Sequence, residues 1–345
     1  MEQAVSMIKS GSTVVTSGFL IAGTADGVID AVSRSFDRSG TPDDLTIMYA
    51  AGQGDKAGGL HERWAKKGLV RRWIGGHFGF CPKVVDMINN NEAEAYNLPL
   101  GVIVEMYRAM GQGKKGYMTN VGLETFVDPR LEGGKLNAVT TEDIVKVVQV
   151  EGEELLYYKL PKVDVAIIRA TTADTNGNCT IEDEILPMDM LTAAMAAKGC
   201  GGKVIVQVKH VVQADTIPSR QVAVPGIFVD AVVVADQPEV YHRQCLDYFV
   251  NPALAGACKV PADSVGVEPF GTKKFIGRRC AMELIPHAVV NLGAGIPEKV
   301  ALVAEEEGLS DQLILTTESG MIGGIPSGGG SFGAGINGWA ELPEV

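Results

Sequence analysis

Positive charge is scarce in this 345-residue chain. Lys and Arg total 30 against 42 Asp and Glu, a formal net charge of −12. Such a surface repels phosphate backbones, which excludes nucleic acid as a general partner. Long apolar runs are missing too. No stretch approaches the roughly 18 uninterrupted apolar residues of a membrane span, so no membrane partner is expected. The first fifteen residues show no basic region followed by an apolar run, so no secretory signal is read there. The six cysteines, at 81, 179, 200, 245, 258 and 280, include no Cys-x-x-Cys pair, and reduced thiols of a cytoplasmic protein are expected. His61, His77, His210, His242 and His287 form no His-Glu-x-x-His or other metal spacing, so no metal site is expected. His77 reads as structural rather than catalytic. No Gly-x-Ser-x-Gly elbow occurs.

Glycine is what the chain has in excess: 42 of 345 residues, about 12% where about 7% is usual. No Gly-X-Y period accompanies it, so turns that let backbone approach a ligand are the natural cause. Hydrophobic residues make up 46%, enough for an ordinary core. Near-continuous apolar runs at 13–16, 45–49, 163–168, 204–208, 228–234, 288–292 and 313–316 read as strands covered on both faces. A helix is expected after Thr24 as N-cap, with Val28, Ile29, Val32 and Phe36 on one stripe. Another is expected after Pro297, burying Val300, Ala301 and Ala304. Alternation of strands and helices predicts an α/β fold with a mainly parallel sheet. Residues 251–272 lack a period and read as a boundary. The strand–turn–helix unit of 13–38 reappears at 288–308, which suggests two related α/β domains, the second incomplete. Nine glycines lie between positions 320 and 338.

Four glycine-containing segments are candidates for chemistry. In the first, an apolar strand runs into Glu318, then Ser319 and Gly320, with Gly323 and Gly324 beyond. A carboxylate at the C-terminal end of a parallel strand faces the crevice where open α/β sheets bind ligands, and it can attack an activated acyl group. A solvated loop glutamate is the plainer alternative. In the second, Asn291 precedes Gly293 and Gly295 and opens a helix, the arrangement of an anion cradle or of a tight turn. Glu298 stands where a dinucleotide fingerprint needs its third glycine. The third is Ser17-Gly18-Phe19 at another strand–helix junction. The fourth, the Lys/Gly segment 111–116, lacks P-loop spacing and reads as a surface turn.

These segments, with Ala51-Gly52-Gln53-Gly54-Asp55, Gly75-Gly76-His77, Ala95-Tyr96-Asn97, Thr125-Phe126-Val127-Asp128-Pro129-Arg130, Gly133-Gly134-Lys135 and Val224-Pro225-Gly226, resemble the family I CoA-transferases. The likeness is strongest to the fused acetate/propionate type and covers essentially the whole chain. It implies two parallel-sheet domains of the CoA-transferase, sugar-phosphate isomerase-like type. Residues 1–255 would be α-subunit-like, 256–272 a linker, and 273–345 the start of a β-subunit-like domain. It implies no permanently bound cofactor, with coenzyme A as substrate, and a homodimer or homotetramer acting on acyl-CoA and small carboxylates. Glu318 matches the family nucleophile and Asn291 the asparagine before Gly-x-Gly, which would position the glutamate or the acyl oxygen. Gly293 and Gly295 would line the CoA side, and Ser17, Gly18 and Phe19 the acyl side. Gln53, Gly323 and Gly324 belong to the implied substrate site.

Glu105 matches a glutamate five positions after a glutamine in the family's Tyr-Asn-x-x-Gln-Gly. Here Leu100 replaces that glutamine, which implies a more apolar acyl group or weaker transfer. The family also continues past position 345 into a glycine-rich stretch that supplies oxyanion donors. An acyl-CoA hydrolase using the same glutamate, and a non-catalytic ligand-binding fragment of the same fold, are the competing expectations.

Overall fold

The structure is a computed structural model and describes residues 1–260, 266–328 and 331. Its helices are α1 (Glu2–Val5), α2 (Asp26–Ser39), α3 (Pro82–Asn89), α4 (Leu100–Gly111), α5 (Met190–Gly199), α6 (Pro238–Tyr241), α7 (Thr272–Ala281) and α8 (Glu298–Glu306). The first strands are β1 (Thr13–Thr16), β2 (Leu45–Tyr49), β3 (Val70–Gly75), β4 (Glu94–Asn97), β5 (Gly116–Thr119), β6 (Val145–Val150), β7 (Glu153–Lys159) and β8 (Val165–Arg169). They are followed by β9 (Thr172–Asp174), β10 (Cys179–Thr180), β11 (Lys203–Val208), β12 (His210–Val212), β13 (Ala231–Val234), β14 (Val289–Leu292) and β15 (Ile314–Thr317). By their contacts these elements form two compact units. One comprises Met1–Ile181 with Pro187–Arg243; the other comprises Glu182–Leu186 with the residues from Gln244 onward.

The first unit is built on a seven-stranded sheet in the order β13-β11-β8-β1-β2-β3-β4, with every neighbouring pair parallel. Successive side chains on a strand point to opposite faces, and each face has its own core. Val14, Ile47, Tyr49, Trp73, Val165, Ile167 and Ile205 pack with Val28, Ile29 and Val32 of α2 and Val84 of α3. Their immediate neighbours Val15, Met48, Ile74, Ala166, Ile168, Val204 and Val206 pack with Ile103 and Tyr107 of α4 and Ala193, Ala194 and Ala197 of α5. Double coverage explains the unbroken apolar runs. Parallel strands also send all their following loops to one sheet edge, and the segments after Thr16, Tyr49, Gly75 and Arg169 meet there. A separate antiparallel sheet, β5-β7-β6, packs on the second of these cores through Val145, Leu156 and Tyr158.

Two local expectations are corrected. Thr24 does not cap α2. The N-cap is Ala25, and the Thr24 hydroxyl donates instead to the Leu20 carbonyl at 3.1 Å, closing the loop ahead of the helix. The run at 228–234 is a strand only from Ala231. Pro225 and the 3₁₀ turn Gly226–Phe228 occupy the approach to it.

In the second unit β14 and β15 pair in parallel, joined by α8. Leu292, Val300, Ala301, Leu315 and Ile325 form its core. Pro297 and the buried face of α8 lie as the periodicity predicts. Among the described residues no helix is long and apolar enough to cross a membrane, and no cluster of His, Cys, Asp or Glu is arranged to hold a metal ion.

Candidate active site

Glu318 is the first residue after β15 and is exposed. Its main-chain N–H donates to the carbonyl of Leu292, the last residue of β14, at 3.3 Å. The two strands are in register, with Asn291 opposite Thr316 and Leu292 opposite Thr317. Asn291 is also exposed, and its Nδ2 donates to Thr316 Oγ1 at 3.0 Å. The carboxylate and the carboxamide therefore emerge from the same, C-terminal, edge of a parallel pair. The turn carrying Glu318 is fastened at its base. The Thr317 and Ser319 hydroxyls lie 2.9 Å apart, and the Gly320 N–H donates to the Thr317 carbonyl at 3.0 Å. Gly320 has φ +93°, a conformation open to glycine and strained for other residues.

Gly293, Gly295, Gly323 and Gly324, also expected around Glu318, lie on the same unit. Gly293 and Gly295 follow β14 and precede α8, and the Gly295 N–H approaches Glu298 Oε2 at 3.4 Å. Gly323 and Gly324 line a crevice behind β15 of about 10 Å³, room for no more than one water.

The remaining candidates lie on the first unit. Ser17 is buried at the end of β1, and its hydroxyl has no hydrogen-bond partner among the described residues. Gly18 has φ +132°, and a Cβ there would sit 2.1 Å from Thr24 Oγ1, so the turn accepts only glycine. Phe19 meets Phe80 edge to face at 6.2 Å. Gln53 is turned into the interior, where its Nε2 donates to the Thr16 carbonyl at 3.1 Å and its Oε1 has no partner among the described residues. Leu100 is the first residue of α4, 47% exposed and packed beside Gly76. Glu105, one turn further on, is engaged by Arg108 at 2.5 Å.

Three residues near these loops escape sequence reasoning. His61 is fully buried and stacked on Trp64; its Nε2 lies 3.0 Å from Thr16 Oγ1, and burial lowers its pKa to about 3. Asp189 precedes α5, and burial pushes its carboxyl up to about 6 against the opposing pull of the Gly18 amide. Arg169, at the end of β8, is 1% exposed. A lone His, Asp or Arg carries no spacing signal, so none of the three could be singled out from the sequence. His77, read as structural, is exposed, with its ring 4.6 Å from that of Phe80.

Comparison with known proteins decides the family. The coenzyme A transferase family model matches residues 1–235. This chain belongs to the coenzyme A transferase family. Among the family's characterised members, it is 40% identical to a caffeate CoA-transferase of Acetobacterium woodii over 342 residues, 99% of this chain and 65% of that protein. It is 38% identical to the acetate CoA-transferase YdiF of Escherichia coli K12, covering 97% of this chain and 63% of that one. The crystal structure of the E. coli O157:H7 acyl-CoA transferase YdiF, a thioester complex with CoA, superimposes with a TM-score of 0.85 at 36% identity, covering 98% of this chain and 64% of that chain. Glutaconate CoA-transferase of Acidaminococcus fermentans shares the fold, with a TM-score of 0.54 at 19% identity over 68% of this chain and 74% of its own. The chain thus spans just under two thirds of the length of the caffeate CoA-transferase and of YdiF.

Proposed function

We propose that this protein moves CoA between a short-chain acyl-CoA and a free carboxylate such as acetate, propionate or butyrate, with Glu318 as nucleophile. The observation that carries the reading is the seat of Glu318: an exposed carboxylate directly past a parallel strand, its own amide tied to the neighbouring strand. The Glu318 carboxylate attacks the thioester carbonyl, the C–S bond breaks, and an acyl–glutamyl anhydride and CoA thiolate result. The thiolate then attacks the glutamyl carbonyl, releasing the first carboxylate and leaving a glutamyl-CoA thioester. An acceptor carboxylate attacks that thioester, and the same two steps run in reverse. One thioester is exchanged for another, so the overall transfer is close to balanced and no ATP is consumed. Water must be kept from both intermediates. Binding of the distant nucleotide and pantetheine parts of CoA supplies free energy to the reacting centre.

In this reading Asn291 positions the glutamate or the acyl oxygen, Gly293 and Gly295 face CoA, and Ser17, Gly18 and Phe19 face the acyl group. The thioester complex of the E. coli relative with CoA supports a covalent CoA intermediate. The α-subunit of E. coli acetate CoA-transferase, 25% identical over 239 residues and matched across 96% of its own length, supports an α-subunit-like first domain. A cytoplasmic homo-oligomer belongs to the same proposal, as do the linker at 256–272 and the β-subunit-like domain from 273.

The test is to incubate the protein with acyl-CoA, without acceptor, and weigh the peptide containing Glu318. A gain of one CoA, less water, is expected at Glu318. Steady release of free acid and CoA that continues unchanged when acetate is added, with no acetyl-CoA formed, would replace transfer by hydrolysis. No adduct and no turnover would remove the nucleophile from the account.

A further inference from the structure

The loop from Ser17 to Thr24 contains two residues with left-handed backbone besides Gly18's own unusual turn, Leu20 at φ +53° and Gly23 at +65°, and Met188, which leans on Gly23 from the segment before α5, has φ +42°. Such a loop does not hold its shape through local preference. It is held from outside. The Leu20 N–H donates to the Gly52 carbonyl at 2.8 Å. On the other side, Arg169 reaches across from β8, the strand paired with β1. Its Nη1 lies 3.0 Å from the Ile21 carbonyl, 3.2 Å from the Thr24 carbonyl and 3.0 Å from the carbonyl of Arg243, the last residue of the first unit. A guanidinium buried this completely is costly to desolvate, and a core residue of similar volume would fill the space without that cost. The three main-chain carbonyls converge on one terminal nitrogen, Nη1, and share its two N–H groups.

We propose that Arg169 is the positioning residue of the acyl pocket: it fixes the Ser17–Phe19 wall and so sets which acyl chain lengths the enzyme accepts. This rests on the reading that Ser17, Gly18 and Phe19 face the acyl group. Arg169 touches neither substrate nor Glu318 in this role. It acts through the main chain of the loop, and Phe19, braced on Phe80, is the side chain whose placement it governs.

The experiment compares kcat/KM for acetate and butyrate as CoA acceptors in the parent protein, in Arg169→Lys and in Arg169→Met. A purely structural arginine would lower the active fraction and scale both acceptors alike. Positioning changes their ratio: about tenfold is expected for Arg169→Met, the worth of one to two lost hydrogen bonds, with Arg169→Lys falling between it and the parent. Should Arg169→Met not fold, Arg169→Lys alone decides, because the shorter lysine does not carry its nitrogen as far as the place of Nη1, where the three carbonyls meet. An unchanged acetate-to-butyrate ratio in a folded variant overturns the proposal. Absence of transfer in the parent itself would instead strike the function proposed above, and this inference with it.

Discussion

Asn291 and Thr316 face each other across two parallel strands, and the carboxamide of one donates to the hydroxyl of the other at 3.0 Å. Two residues beyond Thr316 comes Glu318. The bond holds the exposed Asn291 side chain toward β15, the strand that delivers the carboxylate. Thr316→Val removes the acceptor and keeps the shape. A single net hydrogen bond is worth about 0.5–1.5 kcal/mol, so a fall of up to about tenfold in transfer rate is expected, with little change in unfolding temperature. Unaltered single-turnover rates would mean that the orientation of Asn291 is immaterial.

Glu318→Gln keeps the size of the side chain and removes the nucleophile. The residue is exposed, and exposed substitutions usually alter stability by no more than about 0.5 kcal/mol. Circular dichroism and the melting transition should match the parent, while CoA adduct formation is lost. Transfer that persists in this variant would place the chemistry on another group.

Leu100 lies 47% exposed at the head of α4, beside Gly76 at the sheet edge that also carries Phe19. Leu100→Gln restores an amide at that place. The acceptor profile should move toward more polar acids, measured as kcat/KM across a panel from butyrate to hydroxylated acids. A profile that does not move would show that Leu100 lies outside the acyl pocket.

His61 gives the fold a pH dependence of its own. In the unfolded chain the ring takes up a proton near 6.5; folded, burial holds it neutral down to about 3. The unfolded state thus binds the extra proton between these values, so stability is full above about pH 6.5 and falls as pH drops toward 3. In His61→Phe the ring can still stack on Trp64 and no longer titrates. Its melting temperature should decline less steeply between pH 6.5 and 4 than that of the parent. Parallel slopes would mean that His61 is protonated inside the folded protein.

Much of the seven-stranded sheet was readable in advance because burial on both faces writes strands as apolar runs, and β1 and β2 lie at the expected limits. Two strands of the same sheet were not. β3 contains Arg71 and Arg72, and β4 begins with Glu94, so neither forms an apolar run. Their charges are compensated across the sheet, Arg72 pairing with Glu94 and, at 2.8 Å, with Glu142. That compensation joins residues more than twenty positions apart and leaves no local pattern. The same holds at the candidate site. Glu318 was legible because strand, carboxylate and glycine are consecutive. The interior roles of Gln53, His61 and Arg169 depend on partners between 37 and 148 positions away.

Parallel pairing of β14 and β15 also has a consequence for variants of the second unit. The address of the Glu318 carboxylate is set by a main-chain ladder, Leu292 against Thr317 and the amide of residue 318 on the carbonyl of 292. Were the two strands to slide by a single residue, Asn291 would lose Thr316, and the alternation of faces along the strand would be inverted. Insertions or deletions between the two strands, for instance in the turn that follows α8, are therefore tolerated only while that ladder keeps its alignment, however small their effect on the core around Val300 and Leu315.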